Sequence, residues 1–238
     1  MLIDLNSYKF SATFGSIFAE MKTVENSFIE YLDEGLILVQ RKEEALESFR
    51  SRNVSDSNLG NNEYGRYYYE SEKNNIYYLE RSFFYSSVSY IFTQFEIKLI
   101  EILGYSKMFF KIENELNYDM ICQNIRKEKL DIKGIFNKIK TTTEISFENI
   151  LEVEWQILDD FKEVRNIIVH HNGVTIETKI QKVLSRKINR EKGLNSKWDQ
   201  IIITKEYLLF VLSKICSFID SVIEIIWEKH QKLQNGII

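Results

Sequence analysis

One segment of the chain reads Phe161-Lys-Glu-Val-Arg165-Asn166-Ile-Ile-Val-His170-His171-Asn172-Gly173. An imidazole exchanges its proton near neutrality, because the ordinary pKa of histidine is about 6.5. A guanidinium keeps its charge and presents a planar fork that matches two phosphate oxygens. These are the parts needed to cleave RNA without a metal. The 2′-hydroxyl attacks the adjacent phosphate, the imidazole moves protons, and the arginine offsets the charge building on the phosphorane. Arg165 and His170 are therefore the candidate catalytic residues. Asn166, one turn before His170, could orient the imidazole or bond a phosphate.

The residues around them predict how they are held. At about 100° per residue, Ile157, Phe161, Val164 and Ile168 fall within about 40° of one line, a core-facing stripe. Asn166 and His170 fall on the opposite side, Val169 beside them, and Arg165 on the shoulder, about 140° from His170. His170 is thus not placed as a core histidine. His171 lies a further 100° or so round and cannot share its role. Asn172 and Gly173 both tolerate the left-handed conformation and read as the helix stop. Ser146 is the expected N-cap. Asp159 and Asp160 read as the solvated face of this helix, since two carboxylates alone make a weak metal site.

Six residues after Gly173 a cationic run begins. Lys179, Lys182, Arg186, Lys187, Arg190, Lys192 and Lys197 stand against one acid, Glu191. Such a strip would attract phosphates in a salt-dependent way, or would simply be a solvated loop. Lys179, Lys182, Arg186, Lys187 and Arg190 are the expected RNA contacts. The net charge of −4 shows that the whole molecule is no general polyanion binder, so any such attraction must be local.

Composition bounds the class. The chain has 238 residues, 44% of them hydrophobic and 28% charged, which suits one soluble globular core. There is no proline, so long uninterrupted helices are permitted throughout. Cys122 and Cys216 form neither a disulfide framework nor a metal spacing and suit buried thiols in a reducing compartment. No secretion signal and no run of roughly 18 apolar residues are present, making the cytoplasm the expected location and a membrane an unexpected partner. A glycine-rich phosphate loop, a His-Glu-x-x-His pair and a cysteine-rich metal set are all lacking, and no cofactor or metal is expected.

Along the chain, residues 16–50 predict a first helix, with Phe18, Met21, Val24, Phe28 and Leu32 near helical spacing. Residues 51–66 predict a mobile loop, so 1–66 reads as an N-terminal helix and loop. Residues 74–230 read as the core bundle of a single domain. Its strongest stripe comprises Tyr77, Phe84, Val88, Ile91, Phe95, Leu99 and Ile102, with Gly104 as the expected end. Glu80 and Arg81 interrupt this stripe. If that helix runs antiparallel to the motif helix, Glu80 is placed to hold Arg165. Tyr67, Tyr68 and Tyr69 read as a lead-in packing on the core. Residues 106–146 predict two short helices or a helix and a turn, residues 174–178 an extended piece, and Thr204 the cap of a last helix striped by Leu208, Leu212, Ile215, Ile219, Val222 and Ile226. The expected class is all-α: a bundle of three to four long helices with short ones inserted.

The spacing Arg165-Asn166-x-x-x-His170, behind an aromatic-acidic helix and before an Asn-Gly stop, resembles the motif of the HEPN superfamily. Residues 77–103 resemble that family's long second helix and residues 206–229 its last one. The resemblance covers most of the chain from about residue 74. It implies a homodimer with a composite active site, and metal-independent endoribonuclease activity of the kind used by toxins and phage-defence effectors. Arg165, Asn166 and His170 would be catalytic, with Glu80 beside them. Other relatives are non-catalytic modules that bind nucleotide, RNA or a partner protein, and this stands as the alternative. An antitoxin or defence-operon protein is a further implied partner. The tyrosine that follows the histidine by two residues in antitoxin-linked members is replaced here by Asn172.

Overall fold

The computed structural model describes residues 5–54, 63–110, 117–147, 151–174 and 182–234. The chain is all-α, with one small hairpin among the described residues. Helix α1 spans Leu5–Val54, α2 Glu63–Phe110, α3 Tyr118–Lys127, α4 Ile132–Thr143 and α5 Glu152–His171. A short α6 (Lys187–Glu191) precedes strands β1 (Asn195–Lys197) and β2 (Gln200–Ile202), and α7 (Lys205–Gln234) is the last described element. The sequence contains no proline to interrupt these elements. Four long helices and inserted short ones are the architecture expected. Among the described residues, no helix is long and apolar enough to cross a membrane.

Two compact units partition the backbone: residues 1–25, 90–164 and 210–238, and residues 26–89 and 165–209. The first is built around aromatic packing. The Phe136 ring lies 4.9 Å from Trp155, 5.2 Å from Phe147 and 5.3 Å from Phe218. Phe95, Leu99, Ile102, Ile139, Phe161, Ile219, Val222 and Ile226 are buried around the same unit. Both cysteines are buried free thiols. Lys98 is buried as well, between Glu20 and Glu101. Burial alone would push its ammonium down, but the hydrogen bonds to Glu101 and Glu20 outweigh that and hold its pKa above the usual lysine value.

The second unit holds Phe28, Leu32, Phe84, Val88, Ile167, Ile168, Ile201, Ile203, Tyr207 and Leu208 in its interior. Gly35 lets α1 and α2 approach closely: a Cβ there would sit 2.2 Å from the Phe83 ring. Val39, Leu46 and Ile76 form a satellite cluster with Tyr69 and Leu79.

Several boundaries differ from expectation. Much of the 51–66 segment is helical, with 51–54 ending α1 and 63–66 opening α2; residues 55–62 lie outside those described. Tyr67 and Tyr68 are exposed, and the Tyr69 hydroxyl donates to Glu47 at 2.6 Å. Tyr77 and Phe18 are also exposed, so each stripe is shifted toward its neighbours. Gly104 does not end α2, which continues to Phe110. It is buried where a Cβ would meet Cys122 Sγ at 2.9 Å, so here glycine serves the close packing of α3. Helix α5 begins at Glu152, so Ser146 does not cap it. Asp160 is buried, because the core face of α5 is wider than one stripe. Thr204 does cap α7, its Oγ1 accepting from the Tyr207 amide.

Candidate functional site

Helix α5 carries the motif and ends as its Asn-Gly pair predicts. Asn172 has φ +49° and Gly173 φ +74°, and the Gly173 amide reaches back to the Ile167 carbonyl at 3.1 Å. His170 and His171 complete the last turn and are both exposed. Val169 beside them is 47% exposed, which leaves an apolar side chain in water next to the imidazole. Arg165 and Asn166 are half-buried, and Arg165 Nη1 donates to Asn166 Oδ1 at 3.2 Å. The amide therefore steadies the guanidinium, while the imidazole stands a full turn further on, open to solvent.

The end of α5 is held by neighbours absent from the sequence pattern. The Gly173 carbonyl accepts from the Ile201 amide at 2.9 Å, and Val174 bridges to Gln200 in antiparallel fashion. Tyr85 stands against Gly173 so closely that a Cβ there would lie 2.0 Å from its hydroxyl. That hydroxyl donates to the Ile201 carbonyl at 3.0 Å. Arg81 lies over the rings of Tyr78 and Tyr85 at 5.3 and 5.5 Å and donates to Gln200 Oε1 at 2.6 Å. Helix α2, strand β2 and the cap of α5 are thus bonded into one corner at the end of the helix that carries His170.

Glu80 lines a cavity of about 340 Å³ with Tyr77, Arg81, Tyr85, Ile201 and Thr204, among others. Burial first, and the Glu43 carboxylate second, push its carboxyl above the usual range. The Arg165 guanidinium is bonded to Asn166 Oδ1. The residues of α2 that serve the motif end are Tyr85 and Arg81. Their only signal in the sequence was Arg81 on an apolar stripe.

The basic segment belongs to the same compact unit as residues 165–174. Lys182 and Arg190 are exposed and Arg186 is half-buried. Lys179 lies outside the described residues, as does the side chain of Lys187, whose backbone opens α6. Lys192 and Lys197 add exposed charge. The hairpin that follows leaves little trace in the sequence. Its β-branched run Ile201-Ile202-Ile203 was the available cue, but its two-residue turn is Trp198-Asp199, which is no ordinary turn signal. Among the described residues, no group of three or more His, Cys, Asp or Glu side chains could hold a metal ion.

No family model, curated protein or solved structure matches the chain.

Proposed function

We propose that the protein is a metal-independent endoribonuclease of the HEPN type, acting as a toxin or defence effector, with Arg165 and His170 as its catalytic pair. The observation that carries this reading is the placing of the motif. An exposed histidine closes the last turn of α5, where no core-packing role accounts for the imidazole, and a half-buried arginine precedes it on the same helix. Asn166 holds the guanidinium, and a capped, bonded corner holds the helix end. Exposed Lys182, Arg190, Lys192 and Lys197 in the same unit would gather the RNA backbone despite the acidic net charge. His170 would move the protons of the 2′-hydroxyl and the leaving oxygen, and Arg165 would bind the non-bridging oxygens.

On one helix the two side chains diverge by about 140°, so a second copy of the helix about a two-fold axis would bring the arginine of one chain to the histidine of the other. The test is cleavage of single-stranded RNA by purified protein in excess EDTA. The parent should cut, and His170→Ala should lose at least about 100-fold while staying folded. Equal cutting by His170→Ala would end the assignment. RNA binding without cleavage by the parent would favour the non-catalytic module.

A further inference from the structure

The β1–β2 hairpin carries a side chain that neither the fold nor the catalytic pair uses. Trp198 is 83% exposed, more than any other large hydrophobic side chain among the described residues. It occupies a two-residue turn between the paired Lys197 and Gln200. Both turn residues have positive φ, +50° at Trp198 and +57° at Asp199. This type of turn favours Asn-Gly, and a bulky residue at positive φ is strained. Local stability therefore selects against tryptophan at this position, and burial does not reward it. The Lys197 ammonium lies 4.4 Å from the ring centroid on one face. All three residues of β1, Asn195 to Lys197, are polar and exposed. A tryptophan that anchors a protein interface sits inside an apolar patch, which β1 does not provide. An aromatic face backed by a cation on a hydrophilic strand fits a different ligand, an unpaired base with its phosphate.

We infer that Trp198 is a stacking platform for a base of single-stranded RNA, with Lys197 taking the adjoining phosphate. This inference rests on the ribonuclease reading for its choice of RNA and adds the element that holds the strand. The connection to the motif is direct in the backbone. Gln200, two residues from the ring, bridges to Val174, and Ile201 bonds to Gly173, which closes the helix bearing His170. Arg81 and Tyr85 brace the same strand. A base held at the hairpin tip would therefore be tied through β2 to the end of the helix that bears His170.

The test titrates the full chain with an uncleavable 2′-O-methyl oligonucleotide and with its abasic counterpart, following intrinsic tryptophan fluorescence. The other two tryptophans, Trp155 and Trp227, are half-buried, so Trp198 should give the response to ligand. The parent should show quenching and tight binding only with the base-containing strand. The variant W198N/D199G supplies the residues the turn prefers, so it should melt no lower than the parent, bind about tenfold more weakly and lose the quenching. Trp198→Phe, which keeps a ring, should retain much of the affinity.

Equal binding by the parent and W198N/D199G would overturn the inference, as would equal binding of the abasic strand or no binding by the parent. If the double variant binds normally while His170→Ala alone abolishes cutting, stacking fails and the ribonuclease reading stands. If the double variant loses binding while His170→Ala still cuts, the catalytic assignment fails and the platform stands.

Discussion

The arginine of the motif is steadied by its sequence neighbour and the histidine is left open, so substitutions at the two should read differently. Arg165→Lys keeps the charge but loses the fork and the geometry of the bond to Asn166. Single-turnover assays should find cleavage reduced by about tenfold or more while thermal stability changes little; unchanged rates would remove Arg165 from the phosphate. Glu80 makes a separate prediction. Its folded-state pKa is raised by burial and by Glu43, so the folded protein binds this proton more tightly than the unfolded chain does. Its contribution to stability is thus present below the ordinary glutamate pKa and is lost as pH rises through the raised value. Glu80→Gln should therefore stabilise the protein at neutral pH, with the gain vanishing in acid; melting temperatures of both proteins from about pH 3, below the ordinary glutamate pKa of about 4.3, up to about pH 8 would check this. A variant equally stabilised at every pH would show that titration of Glu80 is not the cause.

At the scale of elements, the cap of α5 is where backbone conformation and packing coincide. Gly173 has φ +74° and faces the Tyr85 hydroxyl. Gly173→Ala would add both conformational strain and a clash, for a loss on the order of 2–4 kcal/mol in denaturant unfolding. An alanine variant as stable as the parent would mean that this corner relaxes freely. Tyr85→Phe keeps the ring but removes the donor to the Ile201 carbonyl, and should cost about 1–2 kcal/mol. Because Tyr85 also braces the strand next to the motif, its loss should lower cleavage more than its stability cost explains.

At the scale of the whole molecule, the proposed RNA binding would take its salt dependence from the acidic total charge and the local cationic segment together. If contact is confined to a few lysines and arginines, log affinity should fall with log salt at a slope of about −0.7 per phosphate contacted. Lys182→Ala and Arg190→Ala should each flatten that slope by roughly one contact's worth. Unchanged slopes would place the RNA elsewhere. Assembly is the second property at this scale. Exposed Val169 beside His170 is a surface that a second copy could cover, and sedimentation equilibrium at micromolar concentration should show a dimer. A monomer at all concentrations would leave Arg165 and His170 without a common phosphate.

Much of this protein is written locally. The absence of proline, the buried stripe of α7 from Leu208 to Ile226, the Thr204 cap and the Asn-Gly stop after His171 are all short-range patterns, and each appears where those patterns put it. They suffice for the helical class and for an outward-facing His170, because helix periodicity decides which side of α5 meets solvent. Long-range packing decided the rest. Gly104 lies inside a helix because α3 packs against it, and Asp160 is buried because α5 is covered beyond its apolar stripe. Glu80 proved to be a cavity residue, while Tyr85 and Arg81 hold the end of the motif helix through residues more than a hundred positions away. Such pairings leave no period in the sequence. They exist only once α2, the hairpin and the end of α5 meet, since a hydrogen bond reports proximity in space and sequence spacing does not.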